Sequence, residues 1–264
     1  MLAARRFLAA ALTLPSVLLA LACPVPAQDE EASLEFFYPV VTRRPIIERE
    51  LEFRTLSAKG DEGTEHNIVG ALEYPILPWW QIELEVPFVI SNPTAGPSNA
   101  GFGDLVLENK FLLWKSVQYR AQVAGGFELT FPSGSASRGL GGDFNIEPFL
   151  TAGIALGPFD LIGELHYEWN LKGPVESQRE QELAGNLALG YRATRWLTPF
   201  VEMNSVVLVR GDHDALRGAT QIYLTPGLNI RPLPGMTLRA GVQLPVTGTR
   251  EFKWVVHSGF VWEF

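Results

Sequence analysis

The residues FKWVVHSGFVWEF, Phe252 to Phe264, carry an apolar or aromatic side chain at every second position, with Ser258 the one polar member of the series. Lys253, Val255, His257, Gly259, Val261 and Glu263 fall on the other parity. A β-strand turns successive side chains to opposite faces, so this stretch reads as a strand with one oily face and one mixed face. The pattern recurs almost from end to end. In WQIELEVPFVI, Trp80, Ile82, Leu84, Val86, Phe88 and Ile90 oppose Glu83 and Glu85. In FDLIGELHYEWNL, Phe159, Leu161, Leu165, Tyr167, Trp169 and Leu171 oppose Asp160, Glu164, His166, Glu168 and Asn170. Period 2 over such lengths predicts half-buried strands rather than helices.

Twelve segments of this kind are predicted, at 47–58, 66–75, 80–90, 102–114, 118–131, 143–155, 159–172, 181–193, 196–209, 218–231, 235–246 and 252–264. Their connections alternate in length. ILPW, KSV, GP, TR and PLPG are tight, whereas AKGDEGTEH, SNPTAGPSNAG, PSGSASRGLGG, GPVESQREQ, RGDHDALRG and TGTRE are longer and rich in Gly, Ser and charge. Tight turns at one end and polar loops at the other describe an all-β fold, a transmembrane antiparallel up-and-down β-barrel with an even strand number. A soluble β-sandwich also alternates. Against it, no strand is apolar on both faces, and Trp79, Trp80, Trp114, Trp196 and Trp262 sit beside the short turns as an interfacial girdle would.

No run of Pro, Ser or charge divides the chain, so the barrel is expected as one domain over residues 47–264. MLAARRFLAAALTLPSVLLALACPVPAQ reads as an export signal: Arg5 and Arg6, an apolar run from Phe7 to Ala22, then small residues at Val25-Pro26-Ala27. Cleavage is expected near Gln28, leaving a periplasmic leader at 28–46. Cys23, the one cysteine, falls within the signal, where lipidation is the lesser alternative to ordinary cleavage. Without Arg5 and Arg6 there remain 19 basic against 29 acidic residues, a net charge of −10, which argues against a nucleic-acid partner. No later stretch reaches the roughly 18 apolar residues of a membrane helix, but a closed barrel needs none.

The ending, with Phe260, Trp262 and Phe264 at alternate positions, resembles the C-terminal assembly signal of bacterial outer-membrane proteins. That resemblance implies a last strand read by the barrel-assembly machinery and closed against the first, in contact with outer-membrane lipid. A second resemblance spans nearly the whole chain. GFGDLVLENKFLL (Gly101 to Leu113), FPSGSASRGLGG, HYEWN, YLTPGLNIR and GVQLPVT are similar to an outer-membrane family catalogued as transporters of the meta-pathway of phenol degradation. It implies passage of aromatic or other small molecules.

With the oily parity outward, the inner face collects charge. Glu48, Glu50, Glu52, Arg54 and Glu73 are followed by the candidate channel-lining set: Glu83, Glu85, Asp104, Glu108, Lys110, Arg120, Glu128, Glu147, Glu164, His166, Arg192, Glu202, Arg231, Arg239 and Lys253. These side chains either pair into a structural plug or line a narrow wet channel. The acidic crowding in the first four strands, with Arg192, Arg231, Arg239 and Lys253 in the last five, favours opposed walls across a channel. In the leader, Gln28 to Ser33 is acidic. Leu34 to Val41 is too apolar to be only solvated and is expected to pack against the barrel base; for the leader as a whole, folding into the lumen as a plug or pairing with a partner are the alternatives.

Enzymatic readings fail on geometry. His257 and Ser258 are adjacent, so a strand sends them to opposite faces and they cannot act as base and nucleophile. His166 between Glu164 and Glu168 is read as a salt-bridged lumen group before a cation site, and Asp212-His213-Asp214 as a solvated loop. GLGG at Gly139 to Gly142 precedes no helix that could cradle a phosphate. No catalytic residue, cofactor or metal is expected. The reading is an outer-membrane channel for passive passage of small solutes, with a closed structural or adhesive barrel as the alternative.

Overall fold

The structure, a computed structural model, describes residues 34–172, 180–211 and 216–264. The stretch read as an export signal, Cys23, Gln28 to Ser33, most of the GPVESQREQ loop and Asp212-His213-Asp214 lie outside the described residues. Thirteen strands run in chain order: β1 (Glu50–Gly60), β2 (Gly63–Leu77), β3 (Trp80–Pro93), β4 (Asn99–Phe102), β5 (Leu105–Ser116), β6 (Ala121–Phe131), β7 (Phe144–Leu156), β8 (Phe159–Lys172), β9 (Gln181–Tyr191), β10 (Leu197–Arg210), β11 (Thr220–Leu233), β12 (Met236–Pro245) and β13 (Phe252–Glu263). β4 and β5 both pair with β3 and form one course broken at Gly103-Asp104. The wall therefore has twelve antiparallel courses, each beside the next in sequence, and β1 pairs with β13 to close it. Closure leaves no edge strand, so the wall's backbone groups are satisfied without water.

The distribution of side chains is inverted relative to a water-soluble protein. Leu165 is 54% exposed and Leu187 45%, while Glu202, Gln81 and Thr225 are fully covered. An apolar outer band around a polar interior is the arrangement a hydrocarbon solvent selects. Trp79, Trp114, Trp196 and Trp262 stand about half exposed at the short-turn end. Trp80 is more covered and stacks on Phe111 with ring centroids 6.2 Å apart.

At the seam, Trp262 lies opposite Leu51 and Phe260 opposite Phe53. The Phe264 N–H donates to the Arg49 carbonyl at 3.2 Å. Two expectations are corrected. The first outer loop, AKGDEGTEH, is almost entirely strand, because β1 and β2 continue to a tight turn at Asp61-Glu62. Phe252 does not belong to the outer stripe: Lys253 is an extra residue opposite the Lys59/Gly60 step, a bulge that reverses parity. Phe252 turns inward and stacks on Tyr223 at 4.3 Å between centroids.

Leu165 lies midway along β8 on the oily face. Replacing it with Arg is expected to cost about 2–4 kcal/mol, the penalty for a cation near the bilayer midplane. Urea titration of the barrel in lipid vesicles, followed by heat-modifiable gel migration, measures the loss; an unchanged midpoint would place this face away from lipid.

Candidate functional site: the charged lumen and its leader

The register aligns carboxylates around the inner wall. Glu263, Glu50, Glu73, Glu83, Glu108, Glu128 and Glu147 stand directly opposite one another on successive courses from β13 through β1 to β7. The row climbs the wall, from the last residue of β13 and the first of β1 at the short-turn end toward the loop end at Glu147. Like charges directly opposite across strands are destabilising, so this row demands cations.

Much of the compensation comes from the leader, which enters the lumen from the short-turn end. Most of its opening residues are apolar. Leu34, Phe36, Phe37 and Ile46 pack with Ala155, Ile162, Ala188 and Phe200 of the wall, and Val40 joins them. Glycines on the inner parity make the space: a Cβ on Gly190 would lie 2.4 Å from the Phe37 ring, and one on Gly153 2.9 Å from Phe36. The leader has no regular secondary structure, so side chains of the wall satisfy its backbone. Asn229 accepts from the Tyr38 N–H at 2.7 Å and donates to its carbonyl at 2.8 Å. The Glu202 carboxylate accepts the Val40 and Thr42 N–H groups at 2.7 and 2.8 Å and the Thr42 hydroxyl at 2.7 Å. Arg239 donates to the Pro39 carbonyl and to Glu52.

Two arginines then meet the carboxylates. Arg43 reaches four of them, on four courses: Nε to Glu108 at 2.8 Å, Nη2 to Glu128 at 2.6 Å and Glu147 at 2.7 Å, and Nη1 to Glu164 at 2.6 Å. Burial opposes its charge, but Glu147, Glu164, Glu128 and Glu108 hold the guanidinium protonated well above the ordinary arginine range. Arg44 lies over the Tyr38 ring, 3.5 Å from its centre, and pairs with Glu48 at 2.7 Å and Glu50 at 2.9 Å. Tyr38 in turn donates to Glu263. On the wall itself, Arg54 pairs with Glu85, and Lys110 with Glu73 at 3.3 Å. A cavity of about 320 Å³ remains beside the leader, bordered by Arg54, Glu83, Glu85, Glu108 and Glu128 among others.

A family model described as "Putative MetA-pathway of phenol degradation" matches residues 63–254, from β2 into β13. The chain belongs to this family. Among solved structures it is similar to an outer membrane channel from Pseudomonas putida F1, at 12% identity and a TM-score of 0.68 over 87% of this chain and 100% of that one. It is also similar to the NanC porin, at 13% identity and 0.58 over 81% and 100%. The β domain of the Bordetella autotransporter BrkA follows at 13% and 0.55 over 82% and 100%. At these identities the likeness is one of fold, that of outer-membrane barrels. No curated protein sequence matches the chain.

Within this family member the fifteen residues read from the sequence as channel-lining fall into distinct groups. Glu83, Glu85, Glu108, Lys110, Glu128, Glu147, Glu164, His166, Glu202 and Arg239 face the lumen, most of them in the ion pairs above; His166 Nδ1 lies 3.0 Å from Glu164. Asp104 sits at the broken β4–β5 course, where its carboxylate accepts the Gly134, Gly142 and Asp143 N–H groups at 2.7–3.0 Å and ties down the loop after β6. Asp104 is the fourth residue of the GFGDLVLENKFLL stretch that carries the family resemblance.

The remaining four lie toward the two ends of the wall. Arg120 is exposed in the β5–β6 turn with a φ of 49°. Arg192 bonds Asp160 at 2.7 Å, and Arg231 pairs with Glu35 at 3.0 Å, both at the short-turn end. Lys253 pairs with Asp61 at 2.7 Å beside the β1–β2 turn, displaced by its bulge. Of the four cations expected on the last five strands, Arg239 stands within the lumen, Arg192 and Arg231 stand at its short-turn mouth against Asp160 and the leader's Glu35, and Lys253 is displaced to the loop end. Between these cations stand Asn186, Asn204, Thr225, Gln243 and His257, in one hydrogen-bonded chain.

The residues that sequence reasoning missed are Arg43 and Arg44. The one available signal was the run of small inner-parity residues, Gly153, Ala155, Ala188 and Gly190, which leaves a lumen wide enough at the short-turn end to admit a chain. Replacing Gly190 with Val is expected to expel Phe37 and raise hydrogen exchange at the Val40 and Thr42 amides at least tenfold. Strand amides should stay protected. Gly163→Val, where an added Cβ meets nothing nearer than 3.8 Å, is the control; equal exchange in the two variants would show that the leader does not depend on this contact.

Proposed function

We propose that the protein is an outer-membrane channel for passive passage of small solutes, with a preference for cations and with its leader as the obstruction. One observation carries this reading: the lumen is polar and acidic along its height, and what fills it is an extended segment held by side-chain contacts alone. Apart from its own continuation into β1, no shared strand fixes the leader, so it is displaceable without breaking the wall. Export with removal of residues 1–27, and delivery to the barrel-assembly machinery by the Phe260, Trp262 and Phe264 terminus, belong to the same proposal. The family description and the names of the similar channel and porin support the transport class; aromatic solutes rest on the family description alone.

The filled lumen favours a second reading, a closed structural barrel that works through its outer loops. Planar-bilayer conductance separates the two. The native chain should show small steps, and Gly190→Val larger ones. With Glu83→Lys and Glu85→Lys together, the reversal potential in a salt gradient should move toward anions by about 10 mV or more, because two carboxylates beside the cavity become cations. Silence from every folded variant would leave the closed barrel.

A further inference from the structure

Arg43 is held as a bound ligand is held. Four carboxylates from β5 through β8 grip its Nε, Nη1 and Nη2 at 2.6–2.8 Å, and the Phe149 ring lies 4.7 Å from Cζ. The carboxylates and the ring belong to the wall; besides the guanidinium, the leader contributes the Arg43 main-chain N–H, which donates to Glu164 at 2.9 Å. Planar N–H donors on carboxylates, with an aromatic face alongside, make a recognition set for a guanidinium or ammonium group. The carboxylate oxygens are spread around a flat cation. The tightly convergent trio, whose oxygens lie within 4.8 Å of one another, is instead Glu50, Glu52 and Glu73, already paired with Arg44, Arg239 and Lys110.

The cage is also not neutralised by its occupant. Four carboxylates face one guanidinium, and Glu108 Oε1, in a residue only 4% exposed, accepts no hydrogen bond. Lys110 Nζ forms a long ion pair with that oxygen at 3.5 Å, beyond ordinary hydrogen-bond reach, and His166 Nδ1 lies 3.0 Å from Glu164 at the other end of the cage. The cavity borders Glu108, Glu128 and Glu147, so a solute in it meets the cage directly.

The geometry points to a binding site for free organic cations, guanidinium- or primary-ammonium-bearing solutes, formed by Glu108, Glu128, Glu147 and Glu164, in which Arg43 is a tethered occupant that the solute displaces. This rests on the channel reading for the route by which solute arrives. A tethered group competes at an effective concentration in the millimolar range, so its removal should strengthen binding of a free competitor.

Agmatine, with a guanidinium at one end and an ammonium at the other, is the probe, titrated calorimetrically into the refolded full chain in detergent. Arg43→Gln is expected to bind it at least tenfold more tightly than the native chain, and adding Glu147→Gln to lose at least tenfold again. Equal affinity in the native chain and Arg43→Gln, or no binding by an Arg43→Gln barrel that keeps heat-modifiable migration, would overturn the proposal. If Arg43→Gln does not fold, the native chain decides. Agmatine, and not KCl at the same ionic strength, must raise hydrogen exchange at the Val40 and Thr42 amides; no rise overturns the displacement. Binding with no conductance in any variant would sink the channel reading and leave the site standing, whereas conductance without displacement would do the reverse.

Discussion

Seven glutamates in register on adjacent strands would push a bare barrel wall apart, and the structure depends on how that repulsion is answered. A surface row of this kind would be screened by water and salt. Inside a narrow lumen with a low-dielectric surround it is screened far less. The wall's own Lys110 answers part of it at Glu73 and Glu108 and Arg54 at Glu83, and Arg43 and Arg44 answer much of the rest from a segment that belongs to no strand. The leader is therefore as much a counter-ion as a plug. Its aromatic residues and the glycines opposite them exist, in physical terms, to carry two guanidiniums to the right height.

The outer surface follows a separate logic. In hydrocarbon an unpaired backbone group is costly, so the sheet must close, and once closed it has no hydrophobic core of the usual kind. Apolar side chains face outward because lipid, not water, surrounds them. The interior is left free for polar groups, and this freedom lets one wall be acidic and another neutral. The two solvents thus divide the period-2 pattern between them: lipid fixes one parity, while charge balance within the lumen fixes the other.

The sequence was legible where the pattern is local. All twelve courses were predicted, most within three residues of their observed limits, and Glu83, Glu85, Glu108, Glu128 and Glu164 were placed on the lumen side by parity alone. It misled where a single residue breaks the period. The bulge at Lys253 moved both Lys253 and Phe252 to the opposite side, and no propensity marks it. Arg120, Arg192 and Arg231 were read as channel-lining without their height, and they stand at the short-turn mouth, because parity says which face a residue takes and not how far along the wall it stands. The leader's place was open: Leu34 to Val41 was apolar enough to pack somewhere, but a segment without periodicity names no partner.

By itself the sequence determined that this chain is a closed barrel of alternating strands with an oily exterior and a charged interior. Side-chain direction is a property of each strand's own backbone and needs no knowledge of its neighbours. Only the tertiary structure decided which charges meet. The alignment of Glu50 with Glu263, more than two hundred residues apart, and the seating of Arg43 among carboxylates from β5 to β8 depend on closure, shear and the depth to which the leader enters. Those quantities are set by the whole wall at once, and no local stretch of sequence contains them.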